Sequence, residues 1–147
     1  MGPNGSISVE LKHLVSHIAS KAAGCQYCQA HTIYVSSRND IEQARLAALW
    51  EYPSSPLFTA AEKVALDFSL AAATVPNAVT DELFARLAEH WSEGEIVEIL
   101  AVVSMFGFLN RWNDSMATPL EDQAAQKADQ LLGDQGWEIG KHNPGDE

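Results

Sequence analysis

The sequence predicts an all-α domain, a compact bundle of about seven helices, and three observations carry that reading. Apolar residues recur at spacings of three and four nearly throughout, no convincing two-residue alternation interrupts them, and capping signatures stand where the apolar runs begin. With 147 residues, 46% of them hydrophobic, there is chain enough for one sizeable core. The patterning assigns residues 7–133 to a single helical domain and leaves 1–6 and 134–147 as weakly ordered tails.

The first helix is expected from about Val9 to Ala23, with Leu11, Leu14, Val15, Ile18 and Ala22 on one face. Gly24 suits a left-handed helix stop, which places Cys25 near the N-cap of a second helix running through Tyr34 to about Ser37. Asp40 is expected to cap a third helix ending near Trp50, after which Pro53-Ser54-Ser55-Pro56 forces a loop. Thr59-Ala60-Ala61-Glu62 is a capping box that opens a fourth helix, ending before Pro76, and a fifth starts at Thr80. A second capping box, Ser92-Glu93-Gly94-Glu95, opens the longest apolar helix, Ile96 to about Met116; Pro119 then suits the first turn of a final amphipathic helix. The long helix carries Ile96, Val97, Ile99, Leu100, Val102, Val103, Met105, Phe106, Phe108 and Leu109, so it needs cover on nearly every side. A central place in the core and a subunit interface both meet that demand, and a homo-oligomer is the reading adopted.

Twenty acidic against nine basic residues give a net charge of −11, which repels phosphate backbones and anionic membrane surfaces. Neither nucleic acid nor membrane is an expected partner. No apolar run approaches the roughly 18 residues of a membrane span, and Met1-Gly2-Pro3-Asn4-Gly5-Ser6 lacks the parts of a secretion signal, so a cytoplasmic location is expected. In a reducing compartment a Cys-x-x-Cys pair is more often catalytic, redox-active or metal-binding than a permanent staple.

Both cysteines fall in Gly24-Cys25-Gln26-Tyr27-Cys28-Gln29-Ala30-His31-Thr32. Three residues apart on a helix, their Cα atoms stand about one turn from each other, inside the roughly 4.4 to 6.8 Å window of a disulfide. Free N–H groups and the helix dipole at an N-cap favour the thiolate, the form that attacks a peroxide or disulfide; on that ground Cys25 is the more activated and exposed sulfur. His31 adds a proton acceptor, because positions 25, 28 and 31 advance about 300° per step and stay within an arc of about 120°. Two competing readings are a pair of cysteines acting as small buried hydrophobes and a zinc site. Zinc fails on geometry: about 9 Å of helical rise separates Cys25 from His31, and no second Cys pair completes a four-sulfur site. Neither a metal nor a cofactor is expected.

Other residues have both a chemical and a structural reading. Tyr27, between the cysteines, is placed to shield them and to reach a bound peroxide with its hydroxyl, or to pack with a wet tip. His13 is a proton acceptor near neutral pH or a polar helix residue; His17 lies one turn along, yet a two-histidine metal site lacks a third ligand nearby in sequence. Asn110, Asn113 and Asp114, with Arg111 and Trp112 among them, either rim a pocket or mark the long helix emerging into solvent, and amphipathic logic favours the second. Glu89, Glu93, Glu95 and Glu98 read as solvated surface.

The segment Leu14 to Thr32, ending in Ala-Ala-Gly-Cys-Gln-Tyr-Cys-Gln-Ala-His-Thr, resembles the alkylhydroperoxidase D core of the carboxymuconolactone decarboxylase superfamily, and the helix order extends the resemblance over positions 9 to 120. The resemblance implies a small all-α bundle and a peroxiredoxin-type activity. In it one cysteine is oxidised by an organic hydroperoxide to a sulfenic acid, and the other resolves it as a disulfide. It gives the attacking role to Cys28 and the resolving role to Cys25, opposite to the helix-dipole argument. It also implies regeneration by a dithiol, thioredoxin-like or lipoyl reductant. Two positions depart from the family pattern: His13 stands where the relay glutamate usually lies, and His31 follows the second cysteine by three rather than four, with Thr32 in the fourth place. The site residues expected are therefore Cys25, Cys28, His31, His13 and Tyr27. The alternatives are lactone chemistry with His31 as base, which needs no cysteine pair, and a non-enzymatic redox-sensing helical oligomer.

Overall fold

The computed structural model describes residues 5–145, and the Met1–Asn4 part of the expected N-terminal tail lies outside them, as do residues 146–147. Among the described residues there are seven α-helices and no strand: α1 Val9–Ala22, α2 Gln26–Ser37, α3 Gln43–Ala47, α4 Ala60–Ala73, α5 Asp81–Ala88, α6 Glu93–Met116 and α7 Asp122–Leu132. Short 3-10 turns cover Leu49–Glu51, Gly133–Gln135 and Gly140–His142.

Most boundaries are set by the residues expected to set them. Ser8 caps α1 by accepting the Leu11 N–H, and Thr80 caps α5 by accepting that of Leu83. Both capping boxes form, Thr59 with Glu62 at α4 and Ser92 with Glu95 at α6. Gly24 takes a left-handed φ of 72°, which turns the chain sharply between α1 and α2. Two caps differ from expectation. Asp40 sits in the left-handed region at φ 57°, so its side chain cannot cap; α3 starts later, after Glu42, with no side-chain cap. Pro119 lies before α7 rather than in its first turn, because Leu120 donates its N–H to the His142 carbonyl and Glu121 becomes the N-cap.

The core is organised around α1, which packs against α2, α4 and α6, while α7 closes over α2. Ten consecutive residues of α1, Leu11 to Ser20, are buried, although five of them are Lys12, His13, Ser16, His17 and Ser20. Most of these polar groups find the hydrogen-bond partner that burial demands. The hydroxyls of Ser16 and Ser20 donate to the carbonyls of His13 and Ser16. Lys12 meets Glu98 at 2.6 Å, whose other oxygen accepts the N–H groups of Ser6 and Ile7. Glu98 is therefore a strut between α6 and the N-terminal segment, not part of a solvated acidic surface.

The long apolar helix α6 is covered on one side only. Ile96, Ile99, Val102 and Val103 face the core, whereas Val97, Leu100, Met105, Phe108, Trp112 and Met116 are exposed. The central, all-round buried helix is α1. Beyond Gly133 the chain folds back rather than trailing away: Trp137 is buried and donates its indole N–H to the Gln26 carbonyl at 3.1 Å, and His142 is fully buried in the same fold-back. No helix of the described residues is long and apolar enough to cross a membrane.

The two faces of α6 separate energetically. Ile99→Ala should lower unfolding stability by about 2–5 kcal/mol, because it empties a fully enclosed site, whereas Val97→Ala should stay within about 0.5 kcal/mol in the monomer. Urea titration of both variants measures the contrast.

Candidate active site

The site is built on the N-terminus of α2. With Gly24 left-handed, Cys25 becomes the N-cap and its sulfur accepts the N–H of Cys28 at 3.3 Å. Both thiols are free, and the Cys28 thiol donates to the Cys25 sulfur. Asn113 of α6 adds a contact from above, its amide 3.7 Å from Cys28 Sγ. The bond from Cys28 lowers the pKa of Cys25 against the opposing effect of burial, and backbone N–H groups of the helix end assist. Cys28 is pushed up, first by its bond to Cys25 and then by burial, with Asn113 working the other way. The pair is thus biased, Cys28 donating towards Cys25 and Cys25 the readier of the two to ionise.

Exposure runs against the helix-end expectation. Cys25 is 0% exposed and Cys28 3%, and Cys28 alone of the two lines a cavity of about 380 Å³. A fully capped residue at a tight turn is enclosed by its own backbone; the position one turn on faces outward. Cys28 shares the cavity with His13 and Ser16 of α1, Tyr27, His31 and Thr32 of α2, and Asn113 of α6. Val35, Met105, Phe106 and Leu109 make its apolar wall. A larger cleft of about 730 Å³, bordered by Ala19, Val75, Leu100 and Arg111, contains neither sulfur.

Four of the five residues singled out from sequence therefore meet in one cavity, and the fifth, Cys25, lies directly behind Cys28. His13 is buried, and desolvation lowers its pKa, which favours the neutral imidazole that can accept a proton. His31 stacks on Tyr27, ring centroids 4.5 Å apart, and its Nε2 lies 2.6 Å from Glu121, whose carboxyl is held below the usual range by that bond. Burial raises the Tyr27 phenol, with Glu121 and both sulfurs adding to it. His17 is not a cavity residue: it is buried, with Nδ1 2.8 Å from the Thr32 hydroxyl, which itself donates to the Gln29 carbonyl. It fixes the α2 turn that carries Thr32 into the wall.

Sequence reasoning favoured the solvent reading over the pocket reading for Asn113 and Asp114, and did not single out Glu121 or His142. The first two had a legible signal, since Asn110, Asn113 and Asp114 are a one-turn polar cluster on an otherwise apolar helix. They mark a site rather than an emergence into solvent: Asn110 is buried with its amide on the Ala19 carbonyl, Asn113 touches Cys28, and Asp114 faces His142 at 3.7 Å. Glu121 and His142 had no local signal, because they arrive from the segment after α6.

The buried imidazole of His17 makes the site's scaffold acid-sensitive. Burial, helped by Lys21, takes its pKa from 6.5 to about 3, so between those values the unfolded chain binds a proton that the folded chain refuses. Stability should fall as pH drops through that window, with this residue contributing a slope of up to about 1.4 kcal/mol per pH unit. His17→Gln should flatten the acid limb of a plot of urea midpoint against pH.

No family model matches the chain. It is 28% identical over 111 residues to the uncharacterized protein YnjA of Escherichia coli strain K12, a match that covers 76% of this chain and 61% of the relative, so the chain spans less than two thirds of that relative's length. The uncharacterized protein YdfG of Bacillus subtilis strain 168 is 27% identical over 124 residues, covering 83% of this chain and 81% of the relative. Among solved structures, the apo debrominase Bmp8 superposes with a TM-score of 0.82 at 35% identity, over 85% of this chain and 67% of that one. A cysteine-to-alanine variant of the same debrominase, in complex with 2,3,4-tribromopyrrole, gives the same TM-score at 34% identity. ATU0492 of Agrobacterium tumefaciens, a protein of unknown function and candidate antioxidant defence protein AhpD, shares the fold at 21% identity and a TM-score of 0.74, over 79% of this chain and 80% of that one. The all-helical topology and the 35% likeness together establish the relationship that the dithiol segment suggests: the chain belongs to the alkylhydroperoxidase D-like proteins of the carboxymuconolactone decarboxylase superfamily.

Proposed function

We propose that the protein is a thiol-dependent peroxidase, reducing small organic hydroperoxides through the Cys25/Cys28 pair. The observation that carries this reading is the placement of Cys28 at an apolar-walled cavity with Cys25 hydrogen-bonded directly behind it. Cys28 attacks as its proton passes to Cys25 along the bond between the thiols. Its thiolate takes the outer oxygen of the hydroperoxide, the O–O bond breaks, and the alkoxide collects a proton at the cavity mouth, where His31 stands against Glu121. Cys25 as thiolate then attacks the Cys28 sulfenic sulfur; the S–S bond forms, the S–O bond breaks, and hydroxide leaves to become water. His13 and Tyr27 line the cavity as proton acceptor and hydrogen-bond donor to the substrate oxygens. An external dithiol, thioredoxin-like or lipoyl, restores the pair.

A second substrate class is favoured by the 35% likeness to a debrominase. The same two electrons would convert an aryl C–Br bond to C–H with release of bromide and the same disulfide. Lactone chemistry is the weaker reading, because it leaves the paired sulfurs without a task.

Treating the reduced protein with one equivalent of cumene hydroperoxide should remove two hydrogens from its intact mass, and brominated pyrrole offered in parallel reads the second class. Cys28→Ser should abolish turnover, and Cys25→Ser should stop at a sulfenic acid that dimedone traps. Equal activity in both variants would remove the assigned roles. An unchanged mass with every oxidant would favour a non-enzymatic helical module.

The exposed apolar stripe of α6 supports a homo-oligomer formed through that helix. Phe108, stacked on Trp112 with centroids 6.1 Å apart, stands in the stripe. Phe108→Glu should convert the assembly to smaller species in light scattering, and an unchanged mass would place the interface elsewhere.

A further inference from the structure

We propose that His142 and Asp114 form a proton relay serving Cys25, a role that rests on the dithiol reading above. The three groups come from distant parts of the chain: the N-cap of α2, the last turn of α6, and the 3-10 turn Gly140–His142. Yet the Cys25 sulfur, an Asp114 carboxylate oxygen and a His142 ring nitrogen lie within 4.8 Å of one another. Nδ1 of His142 is 2.9 Å from the Thr118 carbonyl oxygen, which can only accept, so Nδ1 carries the hydrogen and Nε2 presents a lone pair. That Nε2 is buried without a hydrogen-bond partner, 3.7 Å from Asp114 Oδ1. A lone pair and a carboxylate thus converge on the Cys25 sulfur, whose S–H can supply the hydrogen that Nε2 lacks.

The dithiol cycle needs such an acceptor. When Cys28 attacks, its proton is left on Cys25, which is 0% exposed and must shed it again before it can act as a nucleophile. In the relay the Cys25 S–H proton moves to His142 Nε2, and Asp114 stabilises the imidazolium. Cys25 then forms the S–S bond as hydroxide leaves Cys28. Asp114 is half-exposed and 2.9 Å from the Lys141 ammonium at the surface, so it connects the inner nitrogen to bulk water. The titratable and charged groups facing His142 are Cys25 and Tyr27 from α2, the latter with its ring centroid 5.7 Å away, Asp114 from α6 and the neighbouring Lys141. On reduction of the disulfide by a dithiol, the same relay must return the proton to Cys25.

That reversibility allows a test with two arms on the full chain. In the first, the disulfide is made with diamide and its reduction by dithiothreitol is timed by rapid quench. In the second, the lifetime of the Cys28 sulfenic acid is followed with dimedone after cumene hydroperoxide. His142→Gln should slow both steps about 100-fold at neutral pH, the resolving step alone recovering as pH rises and hydroxide replaces the relay as base; Asp114→Asn should slow both steps less. Hydrogen exchange of the Leu120 amide, which donates to the His142 carbonyl, reports whether the terminal segment stays docked. Wild-type rates in His142→Gln would overturn the relay. So would slow rates that coincide with loss of Leu120 protection while Asp114→Asn reacts at the wild-type rate, because that pattern marks a structural role. Should no hydroperoxide oxidise the protein, the peroxidase reading fails, and the diamide arm still decides the relay.

Discussion

The chemistry of this fold depends on one short interaction, the Cys28 N–H donated to the Cys25 sulfur at the start of α2. It exists because Gly24 alone at that junction adopts a positive φ without strain, turning the chain so that Cys25 caps the helix instead of continuing α1. Three consequences follow from that placement. The two sulfurs are one turn apart and hydrogen-bonded, the first is enclosed by its own turn, and the second is delivered to a cavity wall. Acidity and access are thereby divided between two residues. A sulfur that is both the most acidic and the most exposed would be a better target for adventitious oxidation than for a controlled cycle.

The helix that supports this arrangement is the polar one. α1 is buried along ten residues, yet it carries Lys12, His13, Ser16 and His17 into the interior. Each of those groups costs desolvation unless it is answered, and three are answered from a different neighbour or from the helix's own backbone: Glu98 for Lys12, Thr32 for His17, the His13 carbonyl for Ser16. The result is a core that fixes the rotation of α1 against α2 and α6 by directional bonds, and so fixes where His13 opens onto the cavity. Apolar packing alone would leave that rotation less well defined.

Partner residues from the far end of the chain complete the centre. Asn113 contacts Cys28, Glu121 holds His31, and His142 stands over Cys25 with Asp114 beside it. Each comes from the end of α6 or later, and each is placed by backbone bonds such as Leu120 to His142 and by the Trp137 indole on Gln26. The fold-back after α7 thus packs behind the dithiol and brings His142 to Cys25.

The all-α class, the two capping boxes, the Gly24 stop and the Cys25–Cys28–His31 stripe were legible in the sequence because each is a local property: helical periodicity, a cap three residues from its partner, or a spacing within one turn. Which helix would be central was not. α6 is the more apolar segment and α1 the more polar, and burial was decided by which of them neighbouring helices surround, a choice that composition does not encode. Nor was the order of exposure of the two sulfurs, since the dipole acts along a helix axis while access depends on what packs across it. The same reason hid His142: nothing within a turn of it signals a thiol more than a hundred residues earlier, and only the return of the chain over α2 brings the two together.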